Sequence, residues 1–369
     1  MTPTTGHLVI DSGSSGTRFC VFDVTRDAAT KKCSIGATTA ICAKSSGGLA
    51  ALTDGKDPKD VPALVTPNLD QAWTGLDQAF VAAGKDLGEL EKVKLAAALG
   101  TGGYRDPATA APAMNPAWDA VWTTIDTFLK GKGLTEVVAK AIPGQDEANL
   151  AWVGVNEAVA PGKPFAILET GGATLQLAGG TPGDAYDMLL GGSVYRGQNY
   201  EFFQLSADPA FSVCYSPMDR TMQDGASCTA YLAEKVFKDN GLESLAAMIG
   251  PRELYGLGAP WSGLLREFPN APPWTPKTDD AFNAELTLEN LKALAVKVCP
   301  LQDADVLSFA PNSFDANSMS GKLCYSVSFH AAYLDAFKGV ANMPSIQAGG
   351  DDQWARGASV TSKFFSDCE

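Results

Sequence analysis

Four short stretches combine glycines, hydroxyls and carboxylates in ways suited to holding phosphate and moving a proton. The first is Asp11-Ser12-Gly13-Ser14-Ser15-Gly16-Thr17. Its glycines let the backbone fold tightly enough for successive N–H groups to converge on phosphate oxygens, and the hydroxyls of Ser14, Ser15 and Thr17 add donors. Asp11, at the end of an apolar run, would hold metal-bound water; an ordinary hairpin turn is the plainer alternative. The second is Leu99-Gly100-Thr101-Gly102-Gly103-Tyr104-Arg105. Here Thr101 could touch phosphate or metal-bound water, and Arg105 either contacts phosphate or pins a carboxylate. The third, Gly144-Gln145-Asp146-Glu147-Ala148-Asn149-Leu150-Ala151-Trp152, sets two acids just before a helix. They either complement the helix dipole or one of them takes a proton from an attacking water. Sequence neighbours point apart, so only one of the two would serve. The fourth is Glu169-Thr170-Gly171-Gly172-Ala173-Thr174-Leu175-Gln176. Gly172 permits close approach of a phosphate, and Glu169, Thr174 and Gln176 offer oxygens suited to a hard, hydrated cation, magnesium or calcium rather than zinc.

Other chemistries are poorly supplied. The two histidines, His7 and His330, lie near no other candidate ligand or nucleophile signature, and there is no P-loop or GxSxG element. Acid–base work falls to carboxylates.

The elements that would position these stretches follow from hydrophobic spacing. LVID and FCVFDV read as paired strands joined by the first stretch, with a second hairpin through Cys33 and Cys42. Residues 68–92 have helical spacing, with Leu69, Trp73, Leu76, Phe80 and Val81 on one face. KLAAALGT is a buried strand, WDAVWTTIDTFLKGKG and NLAWVGVNEAVA are helices, and PFAILETGGATLQLAGG is strand, tight turn, strand. This last plan repeats the opening one, with Asp11-Ser12-Gly13 and Glu169-Thr170-Gly171 in equivalent places; two unrelated glycine turns are the alternative. A final helix, SVSFHAAYLDAF, and the closing QWARGASVTSKFF would return to the first domain.

A chain of 369 residues suggests two domains with a cleft between them. Its net charge of -14 argues against nucleic acid as a partner, and a phosphate substrate would need a local device such as backbone amides or a metal. No stretch approaches a membrane span, and MTPTTGH reads as a start from which an export signal has been trimmed. The eight cysteines show no metal spacing. Disulfides Cys33/Cys42, Cys214/Cys228 and Cys299/Cys324 are the preferred reading, with Cys20 a plain core residue; reduced thiols are the alternative. The absence of any N-x-[ST] sequon fits a bacterial source.

In order and spacing the four stretches resemble the apyrase, or ecto-nucleoside triphosphate diphosphohydrolase, family of the actin-like ATPase superfamily. DSGSSGTR is similar to that family's first region, GTGGYR to its second, GQDEANLAWVGVN to its third and LETGGATLQLA to its fourth. Cys299, Cys324 and QWARGAS resemble its C-terminal pattern. The resemblance implies two actin-like (ribonuclease H-like) α/β domains with a central cleft. The first would span residues 1–143 plus about 335–369, and the second, with loop insertions, 144–334. It implies hydrolysis of terminal phosphates of nucleoside triphosphates and diphosphates to the monophosphate, by a periplasmic or secreted monomer using Mg2+ or Ca2+. Glu147 would be the base that activates water. Asp11 and Glu169 would anchor the metal through its water shell, completed by Thr174 and Gln176, and Thr101 would serve shell or phosphate. Ser14, Ser15, Gly16, Thr17, Gly171, Gly172 and Ala173 would cradle the phosphates.

Departures from the family pattern mark what needs testing. Glu169 stands where the family has aspartate, Ala148 where it has glycine, and Thr174-Leu175 where it has serine-threonine. The fifth region, which helps hold the base, reduces to ELYGLGAPWSG, where Tyr255 and Trp261 either stack on a purine or simply pack. An exopolyphosphatase or guanosine pentaphosphatase is the alternative activity.

Overall fold

The computed structural model describes residues 4–13, 16–35, 40–109, 111–159, 163–181, 190–216, 219–238, 252–257, 287–302, 305, 322–337, 346–348 and 353–368. They fall into two compact units, Met1–Ala160 with Asp352–Glu369, and Pro161–Asp351.

In the first unit, consecutive apolar residues, Leu8-Val9-Ile10 and Phe19-Cys20-Val21-Phe22, build β1 (Thr4–Ser12) and β2 (Gly16–Arg26) as an antiparallel pair. β1 takes β5 (Leu95–Gly100) in parallel, and β5 takes β6 (Glu136–Ala141). The expected second hairpin does not form. β4 (Ile41–Ser46) pairs with residues 16–21 of β2, and β3 (Cys33–Ile35) with residues 24–26, so both lie along the same edge of β2. Helices α1 (Leu49–Thr53), α2 (Val61–Ala82), α3 (Leu87–Leu90) and α4 (Pro116–Gly131) bury Leu8, Ile10, Phe19 and Val21 against residues such as Leu69, Leu76, Phe80, Val121 and Ile125.

α2 begins at Val61, ahead of the expected Asn68, Pro67 inside it removing one N–H without ending the helix, and it stops at Ala82, short of residue 92, where Gly84 takes a positive φ of 71°. Its buried row is Val61, Val65, Leu69, Ala72, Leu76 and Phe80, and Val81 is 61% exposed, off the expected face. α5 (Gly144–Val159) packs against a C-terminal helix, Gln353–Ser359. The approach is so close that a Cβ on Gly357 would lie 1.9 Å from Leu150 O, so only glycine fits. This contact keeps α5 in the first unit and moves the boundary past the 143/144 read from the sequence. His7 ties β1 to the same C-terminal segment: it stacks on Phe365 and bonds Ser359 O (2.6 Å) and Asp367 (3.1 Å).

The second unit repeats the plan. β7 (Phe165–Thr170) and β8 (Leu175–Gly180) are antiparallel, β9 (Leu190–Val194) continues the antiparallel side, and β10 (Glu253–Leu257) and β11 (Ile346–Ala348) continue in parallel. The order β9-β8-β7-β10-β11 matches β3-β2-β1-β5-β6 in pairing and direction. α6 (Gln198–Leu205) precedes α7 (Gly225–Leu232), α8 (Leu288–Val298) and α9 (Leu323–Phe337), which pack together and share a core with Leu168, Leu175 and Leu177. α9 contains the SVSFHAAYLDAF run expected to return to the first domain. It stays in the second unit because Tyr325, Phe329 and Tyr333 are buried in this core.

All eight cysteines are paired: Cys20–Cys42, Cys33–Cys368, Cys214–Cys228 and Cys299–Cys324. The last two are the expected staples. The pairing Cys33/Cys42 is replaced, because Cys20 and Cys42 face each other in the β2–β4 register, which leaves Cys33 to clasp the C-terminus through Cys368. Among the described residues no helix is long and apolar enough to cross a membrane.

His330 lies fully inside the second unit, its Nδ1 2.7 Å from Ser326 O, and burial pushes it down from 6.5 to about 4. Between those values the unfolded chain binds a proton that the folded chain refuses. Stability is therefore lost as pH falls from 6.5 to 4, by about 3 kcal/mol in total. In urea titrations at about pH 7 and about pH 4.5, wild type should lose more stability, or gain less, than His330→Gln, the difference between the two proteins reporting His330 against the opposite contribution of Asp11. Equal slopes would remove His330 as the cause.

Candidate functional site

In the first unit, three of the four stretches meet at one end of the sheet. Asp11 lies near the end of β1, opposite Arg18 of β2 and beside Leu99 of β5. Gly13 N–H closes the turn onto Gly16 O (2.9 Å), and Thr101 N–H donates to Ser12 O (3.1 Å), which docks the second stretch on the first. A Cβ on Gly13 would lie 3.7 Å from both Asp11 Oδ1 and Thr101 Oγ1, so carboxylate and hydroxyl flank one point beside the turn. Ile142 N–H donates to Gly100 O (2.9 Å) and carries the chain into α5.

Asp146 and Glu147 lie in the first turn of α5, not before it, where carboxylates complement the helix dipole. They point apart, as neighbours must. Asp146 reaches out to Lys363 (2.6 Å), whereas Glu147 is buried and its Oε2 accepts from Arg105 Nη2 at 2.5 Å. Arg105 is buried too and also donates from Nε to Ile142 O (2.7 Å). The open choice for Arg105 thus resolves as a pin to a carboxylate, and that carboxylate is Glu147. Only Oε2 is engaged; Oε1 has no hydrogen-bond partner among the described residues.

Burial pushes Asp11 up from 3.8 to about 7; Arg18, Lys44 and Arg105 pull it down and Glu147 pushes it up. Its Oδ1 is buried without a hydrogen-bond partner among the described residues. A buried, orphaned carboxylate oxygen is costly unless a cation meets it, so the donor set fits a divalent ion there. Arg18 and Lys44 are two cations that sequence reading passed over. Arg18 was discoverable by counting back across the hairpin from Asp11. Lys44 was not, since only the β2–β4 register brings it against Gly16, where a Cβ would lie 2.6 Å from Lys44 Cε.

Thr17 is not part of this gathering. It pairs with Ser12, on the sheet face opposite Asp11 and Arg18, and its side chain is fully buried on the side of Phe19 and Val21. Gly16 begins β2 at the turn, while Ser14 and Ser15 lie outside the described residues.

The second unit holds the fourth stretch in an equivalent hairpin. Gly171 N–H closes onto Thr174 O (3.0 Å), and Glu169 pairs with Gln176 as Asp11 pairs with Arg18. Thr174 Oγ1 donates to Gln176 Oε1 (3.1 Å), both side chains being buried. Gly172 and Ala173 form the tip. Tyr255 is not a stacking platform: it is 3% exposed in mid-β10 with its ring edge-on to Phe165, and a purine needs an open ring face. Trp261 lies outside the described residues.

One trio of potential ligand atoms among the described residues, from His7, Asp367 and Cys368, is close enough to share an ion. The Cys33–Cys368 disulfide withdraws its thiolate.

No family model matches the chain, and no curated protein matches it by sequence. Solved structures match it by fold. The nucleoside triphosphate hydrolases from Neospora caninum align at a TM-score of 0.62 and 13% identity, over 97% of this chain and 92% of theirs. A Ppx/GppA family member from Aquifex aeolicus aligns at 0.58 and 15%, over 97% of both chains. An exopolyphosphatase from Cytophaga hutchinsonii aligns at 0.56 and 16%, over 96% of both. With the duplicated strand order, this likeness shows the fold: the chain is built of two actin-like, ribonuclease H-like α/β domains.

Proposed function

We propose that the chain is a divalent-metal-dependent phosphohydrolase that cleaves phosphoric anhydrides with water, removing terminal phosphates from nucleoside triphosphates and diphosphates. The observation that carries this is the pairing of Arg105 with Glu147 beside the orphaned carboxylate of Asp11, at a sheet end where two glycine turns converge. Glu147 Oε1 takes a proton from water as its oxygen bonds to the terminal phosphorus. The anhydride P–O bond breaks, and the shortened nucleotide leaves. Arg105, anchored at Ile142 O, holds the orientation of the base. Asp11 would hold the ion, and Lys44 and Arg18 add positive charge beside the first turn. A magnesium or calcium ion, when bound, supplies charge neutralisation of the phosphate oxygens. In the second unit, the 171–174 turn is itself a phosphate-holding hairpin, with Glu169, Thr174 and Gln176 as oxygens for a hydrated cation. Complete cysteine pairing supports a secreted or periplasmic setting.

The burial of Tyr255 favours a second reading, an exopolyphosphatase-type activity, because a polyphosphate has no base to hold. The solved structures include proteins named for each activity. Phosphate release from ATP, ADP and long-chain polyphosphate, each with magnesium and with calcium, decides. Release from ATP and ADP supports the first reading and release from polyphosphate alone the second. Release from none of them would overturn both.

A further inference from the structure

We propose that Gly197 and the first turn of α6 position the 171–174 turn, by taking up its carbonyl oxygens so that its amides are left to an oxyanion. The proposal rests on the reading of this turn as phosphate-holding. Gly197 N–H donates to Ala173 O (2.8 Å), Gln198 N–H to Gly171 O (3.1 Å), and Asn199 and Tyr200 N–H to Gly172 O (2.9 and 3.0 Å). The N–H groups at a helix start have no partner within their own helix, and here the turn supplies the acceptors.

The consequence follows from peptide geometry. In a planar trans peptide the C=O and the next N–H point in opposite directions. Peptides 171–172 and 172–173 aim their oxygens at α6, so the N–H groups of Gly172 and Ala173 point the other way. Neither N–H has an acceptor among the described residues, whereas Gly171 N–H closes the turn on Thr174 O. Consecutive amides aimed away from occupied carbonyls make an anion-binding concavity. A flipped peptide would present a carbonyl to the anion instead.

Only glycine allows this docking. A Cβ on Gly197 would lie 2.2 Å from Ala173 C and 2.4 Å from Thr174 N, backbone atoms that cannot swing aside. The φ of Gly197 is -64°, open to any residue, so glycine is required for close approach and not for its backbone angle. Behind the contact, α9 holds α6: Tyr325 OH donates to Gln198 O (2.6 Å), and Gln198 Nε2 donates to Ser326 Oγ. Glu201, buried in α6, pairs with Arg196 (2.8 Å).

Wild type, Gly197→Ala and Tyr325→Phe should be compared for inorganic phosphate binding by calorimetry, for kcat and KM on whichever anhydride the wild type hydrolyses, and for melting temperature. Gly197→Ala is expected to weaken phosphate binding and lower kcat/KM by about 100-fold, the scale of a displaced binding group. Tyr325→Phe, which keeps the buried ring, should lower both about fivefold, the scale of one lost hydrogen bond. A purely structural role would lower the melting temperature and leave phosphate affinity per folded molecule unchanged. Unchanged affinity and kcat/KM in a folded Gly197→Ala would overturn the proposal, as would the same result for Tyr325→Phe if the alanine variant does not fold. Should the wild type bind phosphate yet hydrolyse nothing, loss of binding in the variants would support the inference while the proposed function fell. A wild type that neither binds nor hydrolyses would overturn both.

Discussion

Glu147→Gln is expected to lower kcat on an anhydride substrate by roughly 1,000-fold, the scale of a lost general base, with little change in KM. Glutamine keeps the shape of the side chain and can still accept from Arg105 Nη2, so the first turn of α5 stays in place. It cannot take a proton. Arg105 then becomes a buried cation without its counter-ion, a cost of about 3 kcal/mol. Arg105→Met is expected to cost about as much in stability and to remove most turnover, because Glu147 loses its anchor. Combining the two changes should restore stability and leave turnover lost, a pattern that urea titration and single-turnover kinetics separate. Turnover in Glu147→Gln within about tenfold of wild type would exclude it as the base.

What the sequence made legible was local. Apolar runs before and after DSGSSGTR and ETGGAT gave both hairpins, and the match between Asp11 and Glu169 survives in register and turn closure. What it hid was decided by distant parts of the chain. Arg105 and Glu147 lie in separate stretches, and only the parallel pairing of β1, β5 and β6 brings the two together. Cys33 looked near enough to pair with Cys42, but register gave Cys42 to Cys20. Thr17 carries a suitable hydroxyl one residue from a suitable position, and period-two alternation puts it on the wrong face. Tyr255 could either stack on a purine or pack, and its place in mid-β10 beside β7 makes it a packing residue. In each case the residue type was informative, and the missing knowledge was which strand lay beside it.

Asp11→Asn is expected to abolish turnover and the protein's stabilisation by magnesium or calcium together. If the ion is held at this carboxylate, wild type should gain about 2.7 kcal/mol at an ion concentration 100 times its dissociation constant. The asparagine variant should gain almost nothing. Without ions the order reverses. The folded state holds the Asp11 proton more tightly than the unfolded chain does, because burial raises the group from 3.8 to about 7. The ionised form is therefore penalised in the folded protein, and stability is lost as pH rises from 3.8 through about 7, by up to about 4 kcal/mol. Asparagine has no proton to lose, although it also gives up the attraction of Arg18 and Lys44. Metal-free Asp11→Asn should thus melt above metal-free wild type at about pH 8, and added ion should close or invert that gap. An ion that stabilised both proteins equally would place the metal elsewhere. A metal-free wild type more stable than the variant at that pH would mean that neighbouring cations already satisfy the buried charge, and the orphaned Oδ1 would lose its significance as the mark of a cation site.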